Sequence, residues 1–223
     1  MYLRIILLLV IGFSLENLKA QFGFQLVAGL NQYPKEQENG LYVPENNLHV
    51  SIGPSVWFRL KNRRIEFNPS VIIDYASSKV QNSPDQNLTL KELNAGFTFP
   101  ILIYPLDFGN DCNCPTFNKQ GQFFNKGFHF ILYPAAYYLS QTLESDQILE
   151  KNASFAYQFG IGAGIDVGIN RTWTISPSLV VSKFFNDQYL INDLNKFIAN
   201  QERNRYRIDF MLRLVWFAKK KRY

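Results

Sequence analysis

No stretch after residue 20 is apolar enough, for long enough, to cross a membrane as a helix, which excludes a helical membrane protein. No cysteine stands directly behind that point, which argues against a lipoprotein anchor. Basic residues are not spread over any face. The first twenty residues carry Arg4 and Lys19 against Glu16, so losing them takes the net charge from +5 to +4, and Lys219, Lys220, Lys221 and Arg222 hold that whole excess. A nucleic-acid protein distributes its positive charge along a recognition surface. The body of this chain is close to neutral.

What is present begins with "MYLRIILLLVIGFSLENLKA", a charged start, a short apolar core at Ile5–Ile11 and a small residue at Ala20. That is the form of a cleaved secretory signal, so the mature chain is expected to begin at Gln21. Phenylalanine is abundant, at 20 residues. An exported, aromatic-rich chain without a membrane helix is either a soluble β-protein or an outer-membrane barrel.

Apolar residues recur with a period of two almost everywhere, the signature of strands. In Phe22–Leu30 the set Phe22, Phe24, Leu26, Ala28 and Leu30 alternates with Gly23, Gln25 and Gly29. The same pattern runs through His49–Leu60, Ile65–Ala76, Leu93–Tyr104, Phe128–Ser140, Phe155–Ile169, Thr172–Phe184 and Tyr206–Phe217. Eight strands of about ten residues match the tilted span of a barrel wall. Tight connections (Lys61–Arg64, Asn170–Thr172) alternate with long ones (Asn31–Leu48, Ser77–Thr89, Gln141–Ser154, Asn186–Arg205), as periplasmic turns and external loops do. Phe22, Phe58, Phe128, Trp173 and Trp216 fall at one set of strand ends, with Tyr75, Tyr138 and Tyr157 at the other, which gives two aromatic girdles. A soluble sandwich is the alternative, with the apolar face turned inward. Pro54, Pro69, Pro134 and Pro177 interrupt strands, where proline marks a bulge or an edge.

The segment "GIGAGIDVGIN" (160–170) has the glycine content of a phosphate-binding loop but not its context. A dinucleotide loop leads from a glycine turn into a helix. Here Gly160, Gly162, Gly164 and Gly168 share one parity with Gln158 and Asp166, and apolar residues hold the other. The glycines are therefore a lumen face, expected to leave room for Trp57, Tyr133 and Tyr137 from across the barrel.

The segments "ELNAGFTFPILIYPL", "KGFHFILYPAAYYL", "FGIGAGIDVGINRTWTISPSLVVSKFF" and "YRIDFMLRLVWF" resemble the small eight-stranded outer-membrane barrels labelled porin-like or PorT-like, over Gln21–Phe217. The resemblance implies an up-and-down transmembrane barrel, residues 21–217, between a signal peptide at 1–20 and a basic periplasmic tail at 218–223. It implies that the closing strand, with Phe210, Leu212, Leu214 and Trp216 outward, is read by the barrel-insertion machinery. The strand departs from the pattern by continuing through "AKKKRY". A place in a secretion or motility apparatus is compatible with the same resemblance.

Candidate chemistry is sparse. Cys112 and Cys114 lie in the Pro105–Gly127 connection, which is long for the periplasmic side. They could close a local disulfide, face a protein partner, or join Asp111 and His129 in a metal site, of which the disulfide is preferred. His49 and Ser51 have the spacing of a His-x-Ser pair in lipid A deacylases, but their parity faces the lumen rather than lipid. Arg59, Glu66, Asp74, Asp166, Asp209 and Arg213 share lumen parity and read as a polar network, with Arg59 opposite Glu66 across the first tight turn. A proton or ion path is the alternative for this set. Leu190, Ile191, Leu194, Phe197 and Ile198 fit either an amphipathic helix on the last external loop or a strand extension. The tail suits anionic headgroups. No catalytic residue, cofactor or metal is expected. The expected class is a non-enzymatic barrel in the outer membrane of a Gram-negative-type bacterium. Its expected contacts are outer-membrane lipid and a protein partner at the cysteine-bearing turn, with no nucleic acid; narrow-lumen transport or ligand capture is the alternative, and a lipid A hydrolase the remote one.

Overall fold

A computed structural model describes residues 21–32, 46–60, 64–83, 86–106, 127–144, 149–169, 172–188, 192–193, 196–197, 202–203 and 205–216. The leader, Cys112, Cys114 and the basic tail lie outside these residues.

Eight strands close into one antiparallel barrel. They are β1 (Gln21–Gln32), β2 (Asn46–Arg59), β3 (Ile65–Phe67 and Ser70–Ser83), β4 (Gln86–Thr98 and Ile101–Ile103), β5 (Phe128–Glu144), β6 (Leu149–Ile165 and Val167–Gly168), β7 (Trp173–Phe185) and β8 (Tyr206–Trp216). Each strand pairs with its sequence neighbours, and β1 also pairs with β8 from Phe22↔Trp216 to Gln32↔Tyr206. Closure removes the sheet edges, so the wall's backbone groups can be satisfied where no water is available.

Burial is the inverse of a soluble sandwich. Along β1, Phe22 and Phe24 are 64% and 59% exposed, while Gln25 is fully buried. The outward faces of all eight strands carry the apolar residues, and the inward faces carry Gln, Ser, Asn, His, Asp, Glu and Arg. Only a lipid surround makes that arrangement favourable. At the end holding Gln21 and Trp216, Phe58 stacks on Phe67 with ring centroids 5.1 Å apart, and Phe128 meets Phe130 edge-on at 5.2 Å. At the opposite end Tyr75, Tyr138, Tyr157 and Tyr206 face outward.

Two sequence expectations need correction, and one open alternative is decided. The connections read as Ser77–Thr89 and Gln141–Ser154 are mostly strand: β3 and β4 pair out to Ser83↔Gln86, and β5 and β6 out to Glu144↔Leu149. Their Ser, Asn, Gln and Thr content reads as loop, but cross-strand pairing overrides composition. In the last loop, Asp187–Gln188 pairs with Glu202–Arg203 and Asn192–Asp193 with Lys196–Phe197, so the described part is strand extension rather than helix.

The prolines sit at neither bulges nor edges. The β3–β4 register is the same at Ser70↔Thr98 and Ile65↔Ile103, and the β4–β5 register is the same at Thr98↔Ala135 and Ile101↔Leu132. No residue is inserted. Pro69, Pro100 and Pro134 instead fall side by side on β3, β4 and β5, and each still accepts through its carbonyl, from Val56 N (2.9 Å), Asn68 N (3.0 Å) and Phe99 N (2.9 Å). Each proline removes one bond of a reciprocal pair and keeps the other, which is why the wall tolerates them.

Candidate functional site: the lumen

The lumen is filled. Its middle is mixed: Val27, Ile131, Tyr133, Val180 and Met211 pack together, and Gln25 donates to the Tyr133 hydroxyl at 3.1 Å while accepting from Ser70 at 2.9 Å. Ser70 also bonds Thr98 at 2.7 Å. Above and below this layer lie two charged clusters.

The lower cluster is at the end with the termini. Glu66 of β3 accepts from the Trp57 indole at 2.8 Å and from the Tyr104 hydroxyl at 2.7 Å. Tyr104 also lies 2.6 Å from Asp166, whose other oxygen takes Ser176 and stands 3.5 Å from Arg213. Arg213 donates to His129 Nε2 at 3.2 Å, and His129 Nδ1 donates to the Gly127 carbonyl at 3.0 Å. The cavity left among Trp57, Glu66, Asp166, Thr174, Ser176, Arg213 and Val215 is about 10 Å³, room for a single water. Replacing Trp57 with phenylalanine keeps one aromatic ring, loosens the packing on Val215 and deletes one donor to a buried carboxylate. We expect a loss of about 1.5–3 kcal/mol, read by urea titration in lipid vesicles.

The upper cluster has more members. Asp74 of β3 takes His49 Nδ1 at 2.8 Å and Ser51 on one oxygen, and Asn94 (3.0 Å) and Arg207 (3.2 Å) on the other. His49 Nε2 meets Asp209 at 2.7 Å. Arg207 reaches Asn31 at 2.8 Å. Beyond it, Arg205 lies 2.9 Å from Glu92 and 2.8 Å from Asp187. Both guanidinium groups lie over the Phe184 ring, at 4.1 Å for Arg205 and 4.8 Å for Arg207. Charged hydrogen bonds and ring contacts of this kind reinforce one another where water is excluded.

Local backbone devices build these contacts. Asn186 has a φ of 57°, a left-handed conformation that asparagine tolerates. Strict alternation from Phe184 would turn Asn186 inward; the left-handed residue resets the count, leaves Asn186 exposed and turns Asp187 inward to Arg205. Gly29 of β1 stands in register with His49 on one side and Asp209 on the other. A Cβ there would lie 2.2 Å from Asp209 Oδ1 and 2.6 Å from His49 Nε2, so the His49–Asp209 bond passes over β1 through the space that glycine leaves.

Glu66, Asp74, Asp166, Asp209 and Arg213 are thus brought into two clusters, not one. Arg59 is placed elsewhere. It does stand opposite Glu66, but at the mouth, half-exposed, and the donors to Glu66 described above are Trp57 and Tyr104. The glycines of β6 also serve other neighbours than expected. A Cβ at Gly160 or Gly162 would strike Val180 of the adjacent strand, and one at Gly164 would strike Ser178 and His129. Tyr137 gains its room from Gly96 instead.

Sequence reasoning missed Arg207, Arg205, Glu92, Tyr104 and His129 as network members. Arg205 and Arg207 share the parity of Asp209 and Arg213, a signal that was present. Ser51 donates to Asp74, and both His49 nitrogens face carboxylates, so this pair lacks the serine–imidazole bond that a hydrolase needs. Among the described residues, no group of three or more His, Cys, Asp or Glu side chains could hold a metal ion.

The fold and its interior define a transmembrane β-barrel with a filled, charge-paired lumen. No protein-family model and no curated protein matches the chain. Solved structures do match. Neisserial surface protein A is similar over 88% of this chain and 97% of its own, at 10% identity and a TM-score of 0.42. Ail, the attachment invasion locus protein of Yersinia pestis, is similar over 88% and 96%, at 10% identity and 0.36. The N-terminal barrel domain of Pseudomonas aeruginosa OprF is similar over 88% and 98%, at 12% identity and 0.30. These likenesses concern the architecture of a small barrel and not a shared activity. The PorT-like label has no counterpart among them.

Proposed function

We propose that the protein is a non-enzymatic outer-membrane barrel of a Gram-negative-type bacterium, working through its surfaces rather than through its lumen. The observation that carries this reading is the filled interior. Acids and bases of the upper and lower clusters are bridged to one another, and the space among the lower cluster's side chains is about 10 Å³. An eight-stranded barrel packed in this way is a pin through the membrane, not a pore. The external loops and the Pro105–Gly127 turn are its contact surfaces, and the PorT-like sequence pattern adds a secretion or motility apparatus as a candidate setting.

In planar bilayers the purified protein should show no sustained conductance, and on gels it should migrate differently before and after boiling. Steady single-channel opening would instead establish the transport reading. Aromatic residues in the turn (Phe117, Phe123 and Phe124) are atypical of disorder. The change Cys112→Ser/Cys114→Ser should leave membrane insertion intact and raise protease cleavage between Asp107 and Lys126. Labelling of both thiols by an alkylating reagent without reductant would exclude a disulfide there.

A further inference from the structure

We propose that the upper lumen is a proton-binding site, in which His49 holds two protons and, as an imidazolium, latches β3 to β8 across the intervening β2 and β1. The first support is a count of hydrogens. A neutral imidazole has one N–H, yet Nδ1 lies 2.8 Å from Asp74 Oδ1 and Nε2 lies 2.7 Å from Asp209 Oδ1. With both carboxylates ionised each only accepts, so both nitrogens donate; a neutral imidazole facing a protonated Asp209 is the outcome the test below separates.

The second support is charge. Asp74 and Asp209 face a single guanidinium, that of Arg207, and all three groups are buried. With the adjoining Arg205, Glu92 and Asp187 counted, a neutral His49 would leave two uncompensated negative charges inside the barrel, a costly arrangement. One added positive charge on His49 halves that excess. The third support is the path over Gly29, where the imidazole–carboxylate contact fills the space that a side chain would take.

His129 provides a contrast within the same molecule. It faces a carbonyl acceptor at Nδ1, with Asp166 Oδ1 also 3.7 Å away, but at Nε2 it meets an arginine donor, so that nitrogen accepts and the ring is neutral. The two histidines of the chain are therefore assigned opposite charge states at the same pH.

The groups facing His49 are Asp74 from β3, Asp209 and Arg207 from β8, Ser51 from its own strand and Asn94 from β4 through Asp74; Arg205, Glu92 and Asp187 form the adjoining pair of bridges. Loss of the proton would turn one nitrogen lone pair toward a carboxylate and leave the cluster more negative.

The test uses the tag-free full-length protein, with nitrogen-15-labelled histidine, in detergent micelles at pH 7. With only two imidazoles in the chain, a His129→Gln variant assigns the spectrum. Two protonated nitrogens on His49 are expected; one bare nitrogen would overturn the proposal. A second measurement compares unfolding midpoints. His49→Gln should lower the midpoint, and adding Asp209→Asn, which restores the wild-type net charge, should recover at least half of the loss. If His49 serves packing alone, the double variant will be no better than the single one, and the idea fails.

Discussion

Gly29→Ala should destabilise the barrel by about 3–5 kcal/mol, the range for breaking a buried ion pair by removing its geometry. The added methyl would stand 2.2 Å from Asp209 Oδ1, 2.5 Å from the Ile208 carbonyl and 2.6 Å from His49 Nε2. A flexible side chain could swing aside, but the Ile208 carbonyl belongs to the wall and Asp209 has little room to retreat. The adjacent Ala28 points outward to lipid, so Ala28→Val should stay within about 0.5 kcal/mol of wild type. Urea-induced unfolding from vesicles measures both. Equal shifts would mean that the His49–Asp209 bridge contributes little.

Arg207→Met should be as damaging, at about 3–5 kcal/mol. Methionine replaces the apolar stem and keeps contact with Phe184 and Tyr137, yet it removes the donor to Asn31 and the cation beside Asp74. Adding Asp74→Asn should return part of that stability, because the deficit is of charge as well as packing. Non-additivity of about 1 kcal/mol or more between the two changes is the expected signature of direct coupling. Strict additivity would place the two residues in independent environments.

The wall was legible in the sequence because a barrel strand has only two faces. Phe22, Phe24 and Leu26 against Gly23, Gln25 and Gly29 reveal the period, and the eight segments follow from it. Parity alone also placed Glu66, Asp74, Asp166, Asp209 and Arg213 inside. Most side-chain partners were not legible, since parity fixes a direction and not a height, although the register of Arg59 opposite Glu66 was, because the first tight turn sets it. Arg59 shows the limit: parity and register are as expected, but it ends its strand partly buried, and Glu66 takes Trp57 and Tyr104. Asp187 shows the opposite, because the left-handed Asn186 shifts the count by one and no period-two pattern anticipates it. Glu92 was hidden for a third reason. Its strand begins in a polar stretch that composition assigns to a loop, while the register with Gln141 and Ala76 makes it wall.

The row of prolines at Pro69, Pro100 and Pro134 has a mechanical consequence. Hydrogen bonds between strands run around a barrel like hoops around a cask, and they resist any change from a round to an oval cross-section. On three neighbouring strands at one height, each reciprocal pair keeps one hoop where two would stand. That band is the most compliant part of the circumference, so lateral pressure from the surrounding lipid should flatten the tube there first and leave the heavily cross-braced upper cluster round.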